Sequence, residues 1–227
     1  MNVISIALIR HGDYEQRSNT PSAHQPWSLN ADGRQQATEC AKQLNQISER
    51  LELPISAQWF SSPLARAQET ARIVRENLMK DASIELCEDL MERGLGAANN
   101  LTIDEIETCL KALNLFEQTP SDWKSNSHFQ LPLPGAESLM SAGVRVSKRL
   151  SSIAQESKNQ GTLVPVIGHG AAFRHAAHLL GILNFEDIKK FSMYFARPVV
   201  ISQNRKGEWT HSAGEWKVRQ PQADFTD

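Results

Sequence analysis

Two histidines in this sequence are each followed by glycine and preceded by an apolar run: Ile9-Arg10-His11-Gly12 and Ile167-Gly168-His169-Gly170. An imidazole at the carboxyl end of a buried strand is well placed to act on a ligand, because open α/β sheets bind ligands outside those strand ends. Glycine beside it lets the backbone come close to that ligand. Arg10 adjoins the first histidine, and Arg66 falls one turn into a helix that follows another strand candidate. The second His-Gly opens a further helix, so the Gly170 N–H belongs to a terminus that favours anions. Guanidinium forks match the oxygens of a phosphoryl group. The natural guest of this set is a phosphate ester. A neutral imidazole is a competent nucleophile towards phosphorus and divides one hard displacement into two easier ones. The second imidazole and the arginines would stabilise charge on the equatorial oxygens. The departing alkoxide needs a proton, and Glu92, at the end of a strand candidate, is the best-placed carboxyl, with Asp13 and Glu15 as weaker rivals.

The elements that must position these groups follow from periodicity. Val3–Ile9 is mostly apolar and β-branched, as in a strand buried on both faces. Asn30 caps a helix whose apolar positions Ala37, Ala41, Leu44, Ile47 and Leu51 recur at helical steps until Pro54. Ile55–Phe60 is a second strand candidate, and Ser62-Pro63 reads as a helix start, serine as cap and proline in the first turn. A short strand at Ile84–Cys87 leads to Met91-Glu92-Arg93-Gly94. Thr102 with Glu105 forms a capping box for a helix over Ile103–Phe116. Gln118–Glu137 is rich in proline and serine without a period, the kind of long loop that forms lids. Leu139, Ala142, Val146, Leu150 and Ile153 mark another helix; Leu163–Ile167 is a strand, and Ala171–Leu180 a helix closed by Gly181. Met193–Ser202 and Trp209–Glu215 form a closing antiparallel pair around Asn204–Gly207. Such alternation gives an α/β fold of three layers, α/β/α, with a mainly parallel sheet and one antiparallel edge strand. One domain over residues 1–227 is expected, with a cap excursion at about residues 95–137.

Four segments taken together resemble one family closely. They are Leu8-Ile9-Arg10-His11-Gly12, Ser61-Ser62-Pro63-Leu64-Ala65-Arg66-Ala67-Gln68-Glu69-Thr70-Ala71, Glu92-Arg93 and Gly168-His169-Gly170. Their types, order and spacing are similar to those of the histidine phosphatase superfamily, which includes the cofactor-dependent phosphoglycerate mutases. The likeness spans about residues 3–202. It implies that His11 is the nucleophile that becomes phosphohistidine, that Arg10, Arg66 and His169 hold the phosphoryl group, and that Glu92 stands at the proton-donor position. Leu29-Asn30-x-x-Gly33-x-x-Gln36-Ala37 and Pro134-Gly135-x-Glu137-Ser138 are also similar to family segments, the latter bordering the variable cap. One position departs: many members carry Asn six residues after the first histidine, where Arg17 stands here and is expected to add a charge contact to the substrate. Glu92-Arg93-Gly94-Leu95-Gly96 matches the mutase pattern in part, and the stretch from Glu92 to His169 is shorter than in mutases. The expected activity is therefore metal-independent hydrolysis of a small phosphomonoester, with no cofactor. The alternatives are a phosphoglycerate mutase, a non-catalytic phospholigand-binding module, or an enzyme acting on a phosphoprotein.

Composition narrows the field. The chain has 227 residues, 40% hydrophobic and 22% charged, which describes a globular protein able to bury a core without disulfide or metal staples. Lys+Arg of 24 against Asp+Glu of 26 leaves no positive excess to neutralise nucleic acid or an anionic membrane. The tryptophans are scattered and form no stacking platform. No apolar run approaches a membrane span, and the N-terminal residues run into a strand without a basic leader, so a cytoplasmic location is expected. Cys40, Cys87 and Cys109 show no close spacing and are expected as buried free thiols. His175-x-x-His178 beside His169 lacks metal-site spacing, and no carboxylate or thiolate joins it. Arg174 either faces the pocket or is structural. Trp123, His128 and Phe129 lie in the candidate lid, where they shape a substrate site or simply form a loop. Lys148-Arg149 and Lys189-Lys190 are solvated faces. An edge strand near Val199 is compatible with a homodimer.

Overall fold

The structure, a computed structural model, describes residues 4–157 and 161–219. Val3, the first residue of the expected opening strand, lies outside them. Strands β1 (Ile4–Arg10), β2 (Gln58–Ser61), β3 (Ser83–Leu86), β4 (Leu163–Gly168), β6 (Pro198–Gln203) and β7 (Trp209–Ala213) form one sheet in the order β3-β2-β4-β1-β6-β7. β3, β2, β4 and β1 run parallel, and the β6–β7 hairpin supplies the antiparallel edge. Val199 therefore does not lie at an edge: it sits in β6 between β1 and β7, because the hairpin folds a further strand over it. A separate short pair joins β5 (Phe191–Ser192) to β8 (Lys217–Val218).

Helices α1 (Ala31–Leu51) and α2 (Ala65–Leu78) cover one face, and α4 (Leu139–Glu156) and α5 (Gly170–Leu179) the other. The central strand shows why this works. In β1, Ile4, Ile6 and Leu8 join the core with Val146, Leu150 and Phe173, whereas Ala7 and Ile9 join Leu44, Trp59, Ala71 and Val74 on the opposite face. Side chains alternate along a strand, so a strand apolar at almost every position must be covered twice.

The excursion from Leu95 to Ala136 carries α3 (Ile103–Ala112) and builds a small cluster of its own from Leu95, Ile106, Leu110, Trp123 and Leu131. The Thr102–Glu105 capping box forms as expected. The helix stops at Ala112 rather than Phe116, because Asn114 turns the chain with a φ of 56°. The aperiodic stretch after it is not a free loop: it buries Trp123 and Leu131. Of the three thiols, Cys40 and Cys87 are buried, but Cys109 is exposed, since it lies on the outer side of α3. A sixth helix, α6 (Phe185–Lys190), was not expected from periodicity, being only six residues long. Among the described residues, no helix is long and apolar enough to cross a membrane.

Candidate active site

Three adjacent strands, β2, β4 and β1, end side by side, and each delivers a polar residue at its carboxyl end. The His11 N–H donates to the Gly168 carbonyl at 3.0 Å, and the Ser62 N–H to the Ile167 carbonyl at 2.9 Å. Arg10, His11, Ser62 and His169 are thereby fixed by the strands themselves. Arg66 enters from the first turn of α2.

Arg66 is the centre of the arrangement. Its Nε donates to His11 Nε2 at 3.2 Å, and its Nη2 reaches His169 Nδ1 at 3.2 Å and the Ala23 carbonyl at 2.8 Å. Nη1 donates to the Gln25 carbonyl at 3.3 Å, and the guanidinium lies over the Tyr14 ring. Arginine only donates, so the two imidazole nitrogens it touches carry lone pairs. The rest of each ring agrees. His11 Nδ1 lies 2.7 Å from the Gly12 carbonyl and must carry its proton; His169 Nε2 lies 2.8 Å from Ser62 Oγ and donates to it. Both imidazoles are neutral and aim their lone pairs at one guanidinium, with ring centroids 5.1 Å apart. Burial, then the charge of Arg66, holds the His169 pKa well below its ordinary value, and burial likewise lowers that of Arg66. An arginine so placed stays charged.

The same contacts explain the local sequence. Ser62 was expected as a helix cap, yet α2 starts at Ala65 with Leu64 in the cap position and no side-chain cap bond. The Ser62 hydroxyl lies just ahead of the helix and serves two partners, accepting the Leu64 N–H at 3.3 Å and the His169 Nε2–H at 2.8 Å. Thr70 Oγ1 accepts the Gly12 N–H at 3.0 Å and donates to the Arg66 carbonyl at 2.7 Å, tying the first histidine loop to α2. Asn30 caps α1 through the Gly33 N–H at 2.8 Å, and Gln36 Oε1 accepts the Asp13 N–H at 2.9 Å. Gly12 has no room for a side chain, because a Cβ there would stand 2.5 Å from the Gly33 carbonyl oxygen. At Gly170 a Cβ would meet Arg10 Cδ at 3.1 Å, so the helix start and this arginine are packed together. Arg10 also lies 4.0 Å over the Phe195 ring and donates to the Met193 carbonyl at 2.9 Å.

Glu92 is buried at 4% exposure and accepts its neighbour's backbone N–H, Arg93, at 2.7 Å. Its charge acts on both Arg66 and Tyr14. Arg145 and Glu137 brace it: Arg145 donates to the carbonyls of Asp89, Met91 and Glu92, and Glu137 accepts from Arg145 and from the Gly94 N–H. His24 Nε2 meets the Glu92 carbonyl at 2.8 Å. Sequence reasoning missed His24, Gln25, Tyr14, Phe195 and Arg145, which stand in loops or on a helix without a periodic signal.

Arg17 is not brought to this cluster. Its Nη1 donates to the Asn100 carbonyl at 2.7 Å and its Nη2 to Glu105 at 3.2 Å, so it clasps the excursion instead of facing the imidazoles. Asp13 bonds its own neighbour, the Tyr14 N–H. Trp123 is buried in the excursion's cluster, and His128 stacks on Phe185 at its outside. His175 bonds the Ala171 carbonyl and Ser127 Oγ, and His178 the Leu183 carbonyl; Arg174 donates to the Phe191 carbonyl. No group of three or more metal-ligating side chains occurs among the described residues.

The sequence profile of the histidine phosphatase superfamily (branch 1) matches residues 6–215. The chain belongs to that superfamily. Members act through a phosphohistidine, which makes this chain an enzyme of the histidine phosphatase type. It is 26% identical over 205 residues to a 2,3-bisphosphoglycerate-dependent phosphoglycerate mutase of Parvibaculum lavamentivorans, covering 89% of this chain and 91% of that one. Among solved structures it is similar to a phosphoglycerate mutase from Bacillus anthracis, with a TM-score of 0.71, 20% identity and coverage of 94% and 93%. An alpha-ribazole phosphatase from Shigella flexneri gives a TM-score of 0.69 at 20% identity, covering 92% of this chain and 95% of that one. The likeness to the solved structures supports the α/β fold of the superfamily.

Proposed function

We propose that this chain hydrolyses phosphomonoesters of small metabolites through a phosphohistidine on His11. The observation that carries the reading is the convergence of two imidazole lone pairs on the Arg66 guanidinium. A phosphoryl group arriving there displaces the Arg66 contact to His11 Nε2, which attacks phosphorus as the ester P–O bond breaks. Glu92 gives its proton to the departing oxygen and, as carboxylate, takes one from the water that then cleaves the P–N bond. Arg10, Arg66 and the Gly170 N–H bind the equatorial oxygens. His169 joins them by taking up a proton on Nδ1, since a lone pair facing an oxyanion repels it. One domain carries this chemistry, with residues 95–137 as its lid and Arg17 as a clasp of that lid.

The test is phosphate release from p-nitrophenyl phosphate in excess EDTA by the native protein and by Glu92→Gln and Ser62→Ala variants. Turnover that resists EDTA and falls in both variants supports the reading; equal turnover in all three proteins contradicts it. Calorimetric titration with phosphate in two buffers of different ionisation heat should show proton uptake on binding.

A mutase is the second reading, and the sealed centre favours it. His11 and His169 are at most 1% exposed, so a phosphohistidine there would be shielded from water. Conversion of 3-phosphoglycerate to 2-phosphoglycerate in the presence of a bisphosphorylated primer would establish it, whereas accumulation of free phosphate would favour hydrolysis.

A further inference from the structure

The Glu92 carboxyl is aimed by a single peptide unit, made of the Glu92 carbonyl and the Arg93 N–H. The N–H end donates to Glu92 Oε1 at 2.7 Å, so a rotation of this unit would carry the carboxyl with it. The carbonyl end takes two donors, Arg145 Nη2 at 3.0 Å and His24 Nε2 at 2.8 Å. A carbonyl oxygen has two lone pairs, and here both are engaged. Because a carbonyl only accepts, His24 Nε2 carries a proton, in the neutral ring as in the charged one. Gly94 makes room for that ring: a Cβ there would stand 3.2 Å from His24 Cε1. The bond to Glu92 is the only side-chain hydrogen bond of His24 among the described residues.

The two donors differ in what lies behind them. Arg145 belongs to α4, and its other partners are local to Glu92: the carbonyls of Asp89 and Met91 and the Glu137 carboxylate. His24 belongs to the loop between β1 and α1, and its two neighbours serve the phosphoryl pocket. The Ala23 carbonyl accepts Arg66 Nη2 at 2.8 Å, and the Gln25 carbonyl accepts Arg66 Nη1 at 3.3 Å. Gln25 is fully buried and fixes the loop through its own side chain, which binds the Pro21 carbonyl and the Arg17 N–H. Three consecutive residues therefore join the Arg66 guanidinium to the peptide that aims Glu92. His24 stands near enough to the centre for its charge to act on His169.

We infer that His24 is a positioning residue, which holds the proton-donor carboxyl of Glu92 in register with the Arg66 guanidinium. The inference rests on the phosphoester reading above and deepens it, by naming what aligns the acid with the phosphoryl site. Without the His24 bond, the Glu92–Arg93 peptide keeps Arg145 but loses its tie to the phosphoryl pocket. The carboxyl then spends less of its time within reach of the departing oxygen. Proton transfer demands hydrogen-bond reach, and small misplacements of the donor are costly to rate. His24 acts through Glu92 and touches no reacting atom, so its effect is confined to leaving groups that need a proton.

The experiment compares kcat/KM of the native protein, His24→Ala, His24→Asn and His24→Gln on 4-nitrobenzyl phosphate and p-nitrophenyl phosphate. The two esters differ by one methylene, but only the benzyl alkoxide needs a proton to leave. A glutamine amide nitrogen can stand where Nε2 stands, whereas an asparagine amide falls short of it. His24→Ala and His24→Asn should lower the ratio of benzyl to phenyl ester turnover by about tenfold or more, and His24→Gln should restore most of it. In a Glu92→Gln background, His24→Ala should change that ratio by less than about twofold, because its effect passes through the carboxyl. An unchanged ratio in His24→Ala, equal losses on both esters, or a full further loss in the Glu92→Gln background would overturn the inference. If Glu92→Gln alone leaves the ratio unchanged, or neither ester is turned over, the phosphoester reading fails on its own. Hydrogen exchange at the Arg93 amide then still decides whether His24 holds the Glu92 peptide. It should be faster in His24→Ala and close to native in His24→Gln, and unchanged exchange in His24→Ala overturns the inference.

Discussion

At the carboxyl ends of the central strands, the groups around His11 and His169 are held by strand ends, backbone carbonyls and one shared guanidinium, whereas the excursion proposed as a lid rests on the cluster around Ile106 and Trp123 and on a few clasps. The first region has little freedom: the His11 N–H is bonded to Gly168, the Gly12 N–H to Thr70, and the His169 ring to Ser62 and Arg66. The second is attached near the surface through the Ile103 N–H to the Asn19 carbonyl, Arg17 to Glu105 and Asn19 to Asp104, and at one buried point through Ser127 Oγ to His175. The comparison teaches a division of labour. On the proposed reading a rigid frame aims nucleophile and charge, and the excursion, as the part of lower local stability, admits the substrate to a buried centre.

The largest effect that would sharpen this contrast is expected on the chemical step. Glu92→Gln should lower kcat/KM, which reports the step that expels the leaving group, for an alkyl phosphate by about 10²–10⁴-fold. The loss should be smaller for p-nitrophenyl phosphate, whose leaving group needs no proton. Equal losses on both would assign Glu92 a structural role.

Next comes a pH effect at the junction of frame and lid. Burial lowers the His175 pKa from its ordinary value near 6.5 to about 4. Between those values the unfolded chain binds the proton that the folded chain refuses, so stability falls as pH drops from about 6.5 to 4 and is unaffected by His175 above that window. The full effect is about 3 kcal/mol. His175→Gln should flatten the slope of stability against pH, as measured by urea unfolding, and leave a remainder from His169, which titrates in the same direction. An unchanged slope would show that burial does not lower the His175 pKa.

Thr70→Val tests the frame itself. It leaves the Gly12 N–H buried without an acceptor, which should cost about 1–3 kcal/mol and lower kcat together with stability. Little change in either would mean that the loop after β1 is held by other contacts.

How much of this was legible in the sequence follows the same division. The apolar period of β1 and α1, the Asn30 and Thr102 caps, and the two His-Gly pairs were readable, because each is a local pattern that tertiary contacts reinforce. The role of Ser62 was not, since its hydroxyl is claimed by a histidine 107 residues away. Nor was that of Arg17, whose partners Asn100 and Glu105 lie 83 and 88 residues on. The stretch from Gln118 to Glu137 read as loop because Trp123 and Leu131 pack against distant Leu95, Ile106 and Leu110, without any period to announce it. Arg145 carries no signal either: apart from Glu137, its partners are backbone carbonyls, which any sequence supplies.

The smallest effect should come from the clasp. Arg17→Ala should shift the melting temperature by no more than about 2 °C and leave turnover of p-nitrophenyl phosphate within about twofold. Hydrogen exchange at the Ile103 amide should become faster, because that amide bonds across the same seam. A large loss of turnover would instead place Arg17 at the phosphoryl group.

The central claim is that His11 Nε2 carries the phosphoryl group. Rapid quenching of the native protein with a phosphomonoester, followed by ³¹P NMR and peptide mapping at alkaline pH, tests it most directly. The account predicts an acid-labile phosphohistidine on His11, linked through Nε2, that is absent from His11→Ala along with turnover. A phosphoryl group trapped on another residue, or turnover undiminished in His11→Ala, would contradict it.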